Sequence, residues 1–302
     1  MAIPESQLET WSHQGSVKQS SNTYATVKSA LEAKDTKYAD KSFEVFLQGS
    51  YGNDTNIYAE SDVDIVMRLD AIYYYDTSAL EPQDLQIFNA EFVLGTYSYA
   101  DYKNHVIAAL TKSFGASDVD ADKKAIKIKA NGSRRNADVL AATEFRRYYS
   151  SNGPKYTSGI CFFTSSGKKI VNYPKLHSAN CTTKHQATDS WFKPMARVLK
   201  NMRSKLVDDG VIGAGVAPSY FLEGLLYNVP KDKFGSSYGD TFVAAMNWIL
   251  SAERDKFVCA HGQHWLVRDS APECWPIANY DALIKAAVEM WNSWSASSSA
   301  TA

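Results

Sequence analysis

The sequence predicts an α+β fold, a mixed sheet with helices packed against a C-terminal helical lobe. Three observations carry this. Period-two apolar segments and turn signals dominate residues 42–180. From Thr188 onward the apolar residues recur at helical spacing instead. Between Phe43 and Val66, two strand-like runs flank a Gly-Ser step and a pair of aspartates.

Taken in order, residues 4–38 read as helical, with Ser16 placed to cap a helix whose apolar side is Val17, Tyr24, Val27 and Leu31. The run Phe43-Glu44-Val45-Phe46-Leu47 suits a buried strand. Gly49-Ser50 then turns the backbone sharply and can aim N–H groups and a hydroxyl at an anion. Eleven residues later, Asp62 and Asp64 alternate with Val63 and Ile65, so on a strand both carboxylates share one face. A helical interval follows, first Pro82 ahead of Leu85, Ile87 and Phe88, then Tyr97 to Leu110. Ala125 to Lys129 alternates like a half-exposed strand. Asn131-Gly132 is a hairpin signal, and Asn136 to Ala142 returns as the partner strand, carrying Asp138. Ser158–Phe163 and Lys168–Val171 form a second hairpin around Ser165-Ser166-Gly167.

In the second half, Trp191, Met195, Val198, Leu199, Met202 and Leu206 make an apolar helical stripe. Lys193, Arg197, Lys200 and Ser204 recur on another side, the ordinary pattern of a solvated basic face. Pro218 and Ser219 open a further helix, where free N–H groups favour a phosphate. The last helix starts near Asn279, buries Leu283, Ile284, Ala287 and Met290, and ends at Trp294. Ser295 to Ala302 is too poor in apolar side chains to pack and is expected to be disordered.

The chemistry points one way. Two carboxylates side by side repel and raise each other's pKa unless a hard divalent cation sits between them. Asp138 lies mid-strand between apolar neighbours, where an unpaired carboxylate is costly, and is expected to supply a third metal ligand. A phosphate-holding turn beside such a set equips a chain for nucleotidyl transfer. Glycosyltransferases also use an Asp-x-Asp, but that class lacks the Gly-Ser lead-in.

Composition fits without demanding this. The chain has 302 residues and a formal net charge of -1, so nothing pulls it globally toward nucleic acid or an anionic membrane. No apolar stretch approaches the ~20 residues of a membrane span, and no signal segment opens the chain. A cytoplasmic protein with reduced thiols is expected from four scattered cysteines. Cys259, His261, His264 and Cys274 lack the CxxC pairs of a structural zinc site.

Gly-Ser-x11-Asp-x-Asp with a later strand aspartate resembles the signature of the polymerase-beta-like nucleotidyltransferases. The extended form, Gln48 to Ile57 followed by Ser61 to Ile65, resembles the bacterial CD-NTases, relatives of cyclic GMP-AMP synthase and oligoadenylate synthase. The likeness runs from Trp11 to Tyr227 and more loosely beyond. It implies condensation of NTPs into a cyclic di- or trinucleotide second messenger, with release of pyrophosphate, in anti-phage (CBASS-type) signalling.

It also implies residue roles. Asp62, Asp64 and Asp138 would be the catalytic residues and would hold two magnesium ions, with manganese a substitute. Gln48, Gly49 and Ser50 would cradle the triphosphate. Lys200, in Val-Leu-Lys-Asn-Met, would contact phosphate ahead of Arg197 and Arg203. Ser219 would reach the triphosphate, and Tyr220 would either stack on a base or fill the core. Apart from the resemblance, Asn172, His177 and Asn180 could present polar edges for base selection, with His177 equally a satisfied structural histidine.

The expected organisation is N-terminal helices (1–40) bracing both lobes, a catalytic core (41–185), a helical lobe (186–294) and a tail (295–302), with the active site in the cleft. Expected partners are NTP substrates, an effector sensing the product, and conjugation machinery acting on Ala302. Neither duplex nucleic acid nor a membrane is needed, and the chain is expected to be a monomer. Two alternatives remain. Another polymerase-beta-like enzyme would modify tRNA ends or small molecules, though neither a basic RNA-tracking face nor an acidic drug pocket is evident. A catalytically silent nucleotide-binding protein would have no need of the intact carboxylate set.

Overall fold

The computed structural model describes residues 2–15, 17–58, 62–121, 124–271 and 273–294. The expected cap Ser16 and the tail Ser295–Ala302 lie outside the described residues. Along the chain run α1 (Glu5–Ser12), α2 (Lys18–Leu31), β1 (Phe43–Leu47), the single turn α3 (Gly49–Gly52) and β2 (Val63–Ala79). Next come α4 (Pro82–Glu91), α5 (Tyr99–Phe114), β3 (Val119–Asp120), β4 (Ile126–Ile128), β5 (Ala137–Ser150), β6 (Pro154–Phe163) and β7 (Lys169–Asn172). Helices α6 (Pro174–Ala187), α7 (Phe192–Asp208), α8 (Ser219–Asn228), α9 (Tyr238–Ser251) and α10 (Ile277–Ser293) complete it. The fold is α+β, and the chain separates into two compact units. One comprises Ser16–Gly52 and Ser61–Lys175; the other comprises Met1–Gly15, Asn53–Glu60 and Leu176–Ala302.

The first unit is built on a seven-stranded mixed sheet of order β1-β2-β5-β4-β3, with β6 on β5 and β7 on β6. Strands β2 and β5 pair in parallel, and the other pairs are antiparallel. Alternation sorts the side chains. Val63, Ile65, Met67 and Leu69 of β2 join Ala137, Val139 and Ala141 of β5 in a core with Val27 and Leu31 of α2 and Tyr102, Val106 and Leu110 of α5. Val66, Leu140, Ala142, Ile160 and Phe162 pack on the opposite face. Asp64 and Asp138 belong to that second face by the same period.

The expected hairpin around Asn131-Gly132 is present, with Ile126 opposite Val139. One boundary differs from the sequence reading. Strand territory ends at Asn172, and α6 starts at Pro174, inside the stretch read as sheet. Proline suits a first helical position, where its missing N–H costs nothing. The helix has no apolar stripe to announce it: His177 and Cys181, one turn apart, are its buried residues.

The helical unit packs Met195, Val198, Met202 and Leu206 of α7 against Leu222 and Leu225 of α8, Phe242 and Ile249 of α9, Leu283 and Ile284 of α10, and Leu8 of α1. Among the described residues no helix is long and apolar enough to cross a membrane. Residues 53–58, part of the eleven-residue stretch between the Gly-Ser turn and Asp62, belong to this unit.

Candidate active site

Parallel pairing puts Asp64 directly opposite Asp138, and antiparallel pairing puts Lys127 opposite Asp138 on its other side. Neighbouring strands lie about 4.8 Å apart, so two carboxylates and an ammonium form a row across β2, β5 and β4. Lys127 Nζ is 3.7 Å from Asp138 Oδ1. Asp62, one residue ahead of β2, is half-buried like Asp64 and Asp138.

The Gly49 turn is built against this row. The Gln48 N–H donates to the Asp64 carbonyl at 3.0 Å, and the Gly52 N–H returns to the Gln48 carbonyl at 3.3 Å. Gly49 itself has φ +62°, and a Cβ there would sit 2.4 Å from Asp64 Oδ2. The left-handed backbone favours glycine, and any larger residue would have to push the Asp64 carboxylate aside. Gly49 is exposed and Ser50 half-buried.

Burial pushes the Asp138 carboxyl above the ordinary range; the Lys127 charge opposes this and the nearby Asp62 charge adds to it. A carboxyl whose folded pKa lies above its unfolded one contributes stability below the unfolded pKa, and that contribution is lost as pH rises through the folded value. Metal-free Asp138→Asn is therefore expected to be more stable than wild type at neutral pH. The gap should close as pH falls below the ordinary carboxylate range. Thermal unfolding across pH measures this, and a gap that does not change with pH would contradict it.

Asn172 ends β7 in the sheet unit, and the remaining expected site residues fall in the helical unit. The basic row of α7 is bound to the segment 53–58 in place of the solvated face its spacing suggests. Lys193 pairs with Asp54 Oδ2 at 2.9 Å, and Arg197 donates to the Asp54 carbonyl at 2.6 Å and to Ser12. Lys200 is fully buried and donates to the Thr55 carbonyl at 2.8 Å. Ser219 is the first residue of α8.

Tyr220 packs against the helical core, its ring stacked on His177 at 5.0 Å between centroids. Its hydroxyl lies 2.6 Å from His261 Nε2, and burial pushes the phenol well above its usual pKa. Because His261 Nδ1 accepts from the Gln263 N–H, Nε2 holds the proton and donates to Tyr220. Tyr220→Ala is expected to cost about 3–5 kcal/mol in denaturant unfolding, and Tyr220→Phe about 1–2 kcal/mol for the orphaned His261 donor. Equal stability of both variants with wild type would contradict the packing role.

Sequence reading did not single out Glu223. It is 2% exposed and accepts from Asn53 Nδ2 at 2.8 Å, from Thr55 Oγ1, and from His177 Nε2 at 2.7 Å. Its signal in the sequence is a lone carboxylate inside the apolar helix Tyr220-Phe221-Leu222-Glu223-Gly224-Leu225-Leu226. His177, Cys181 and Glu223 also bring ligand atoms within 4.8 Å of one another. The donors already on Glu223, and a Cys181 thiol pushed up by burial, suit a hydrogen-bonded cluster better than a metal centre. Asn180 donates to the Ala260 carbonyl at 2.8 Å.

A Gly-Ser turn pinned on a strand aspartate, with a second aspartate in register beside it, defines a nucleotidyltransferase. Residues 12–119 match the Second Messenger Oligonucleotide or Dinucleotide Synthetase domain, and residues 179–292 match the cGAS/DncV-like nucleotidyltransferase C-terminal helical domain. The chain is 37% identical over 297 residues to the cyclic UMP-AMP synthase of Rhodothermus marinus, covering 97% of this chain and 99% of that one. It is 36% identical over 304 residues to the cyclic nucleotide synthase CdnE01 of Staphylococcus haemolyticus, covering 97% and 100%. The structure of Rhodothermus marinus CdnE c-UMP-AMP synthase with Apcpp and Upnpp superposes with a TM-score of 0.86 at 38% identity, over 97% of each chain. The chain belongs to the bacterial CD-NTase family.

Proposed function

We propose that this chain condenses nucleoside triphosphates into a cyclic dinucleotide messenger and releases pyrophosphate. The observation that carries the reading is the Asp64–Asp138 register with Gly49 packed on the Asp64 carboxylate. Likeness to the cyclic UMP-AMP synthase over nearly the whole chain supports it.

Asp62, Asp64 and Asp138 offer oxygen ligands alone, the set that hard divalent cations take. The raised pKa of Asp138, with like charges at hand, fits a group that gains from a bound cation. Magnesium held there, with manganese a substitute, would neutralise triphosphate charge and lower the pKa of the attacking ribose hydroxyl. The backbone N–H groups of Gly49 and Ser50, with the Ser50 hydroxyl and Gln48, hold the donor triphosphate. Lys200 acts through the Thr55 carbonyl, and Tyr220 serves the core. The ribose oxygen bonds to the α-phosphorus as the bond to pyrophosphate breaks, and a second transfer closes the ring. The product is read by an effector protein in an anti-phage response.

The test is incubation of the purified chain with all four NTPs and magnesium, with products identified by mass. A cyclised product with pyrophosphate release, formed without duplex nucleic acid, is expected. Nucleotide transfer only to an added tRNA or small molecule would overturn the reading.

A further inference from the structure

The segment that follows the Gly-Ser turn is held by an unusual density of buried polar contacts. Asn53, Thr55 and Asn56 are 5%, 0% and 0% exposed. Backbone and side-chain polar groups in such a place must find partners or cost free energy. Here they find them in the helical unit. Glu223 takes the Asn53 amide and the Thr55 hydroxyl, Lys200 takes the Thr55 carbonyl, and Asn56 bonds Gln14 at 2.7 Å and the Gly15 carbonyl at 3.1 Å. Asp54 sits among them at φ +55°, a conformation few residues other than glycine adopt. Lys193 and Arg197 hold it there by its carboxylate and carbonyl.

Glu223 carries the buried negative charge of the cluster. Glu223 and Lys200 are both buried, and neither would be tolerated alone. Burial pushes the Glu223 carboxyl up, but the His177 hydrogen bond and the Lys200 charge outweigh it and hold it below its ordinary value. Glu223 is therefore an anion, and His177 donates to it from Nε2. Asn53 is bonded directly to Gly52, the last residue of the turn that carries Gly49 and Ser50.

From these contacts we infer that Glu223 is a positioning residue for nucleotidyl transfer: through Asn53 and Thr55 it fixes the chain at the exit of the phosphate-holding turn. The inference rests on the nucleotidyl-transfer reading above and gives that site a determinant in α8, outside the catalytic carboxylates. Nothing in it requires Glu223 to touch nucleotide.

Glu223→Ala strips Lys200 of its countercharge and is expected to fold poorly, so Thr55→Val, nearly isosteric, carries the test, with Thr55→Ser as the rescue. Two readouts are taken on the full-length protein: steady-state kinetics with magnesium and NTPs, and amide hydrogen exchange of residues 48–52. Thr55→Val is expected to lower kcat by about tenfold to a hundredfold, the cost of a slightly misplaced reacting group. KM should stay within about threefold, and the Gly52 amide should exchange faster while β2 and β5 stay protected. Thr55→Ser should restore both. Wild-type kcat in folded Thr55→Val, or unchanged exchange at 48–52, would overturn the inference. A wild-type chain that makes no product would instead sink the functional reading, while the exchange data still decide whether Thr55 holds the turn.

Discussion

Replacing Asp62 and Asp64 together with asparagine is expected to lower product formation by about a thousandfold or more, roughly 4 kcal/mol of transition-state stabilisation. The fold should survive. Asp64 is half-buried and directly opposite Asp138, and Asp62 already pushes the Asp138 carboxyl upward. Like charges directly opposed across strands destabilise a sheet, so removing the Asp64 charge together with the nearby Asp62 charge should raise the metal-free unfolding midpoint by about 1–3 °C. Magnesium should stabilise wild type and leave the double variant unmoved. Product at wild-type levels from the double variant would remove the carboxylates from the mechanism.

Gly49→Ala is expected to be nearly as damaging although it adds one methyl group. The left-handed backbone costs a non-glycine residue about 1–2 kcal/mol. The new Cβ would meet Asp64 Oδ2 at 2.4 Å, so the carboxylate has to move. A loss of activity of about a hundredfold follows if the displaced group is a ligand whose placement sets the rate. Gly49→Asn separates the two causes, since asparagine tolerates the backbone conformation and keeps the collision. Ser50→Ala should lose less, because the turn's backbone N–H groups remain. Unchanged NTP turnover in Gly49→Ala would show that neither cause matters.

The sheet and its motif were legible because they are local. Period-two alternation sorted Asp64 from its apolar neighbours, and Asn131-Gly132 announced the hairpin that carries Asp138. What stayed hidden is long-range. The row Lys193, Arg197 and Lys200 has the spacing of a solvated helix face, and nothing local says that residues 53–58 will cover it. Glu223 looks like an interruption of an apolar helix until Asn53, Thr55 and His177 are found on it. The start of α6 falls in the stretch that reads as strand-dominated, because its buried side is a histidine and a cysteine and no hydrophobic period marks it.

The parallel pairing of β2 with β5 has a consequence for the chain during its synthesis. Parallel neighbours cannot be joined by a tight turn, and here α4, α5, β3 and β4 all lie between them in sequence. The entropy of closing that long loop is spent before any contact rewards it. A nascent chain that has left the ribosome only as far as α5 owns the Gly-Ser turn, Asp62 and Asp64, yet has no strand to set Asp138 beside them. On the function proposed above, translation products that stop before β5 lack the third carboxylate and are expected to make no product.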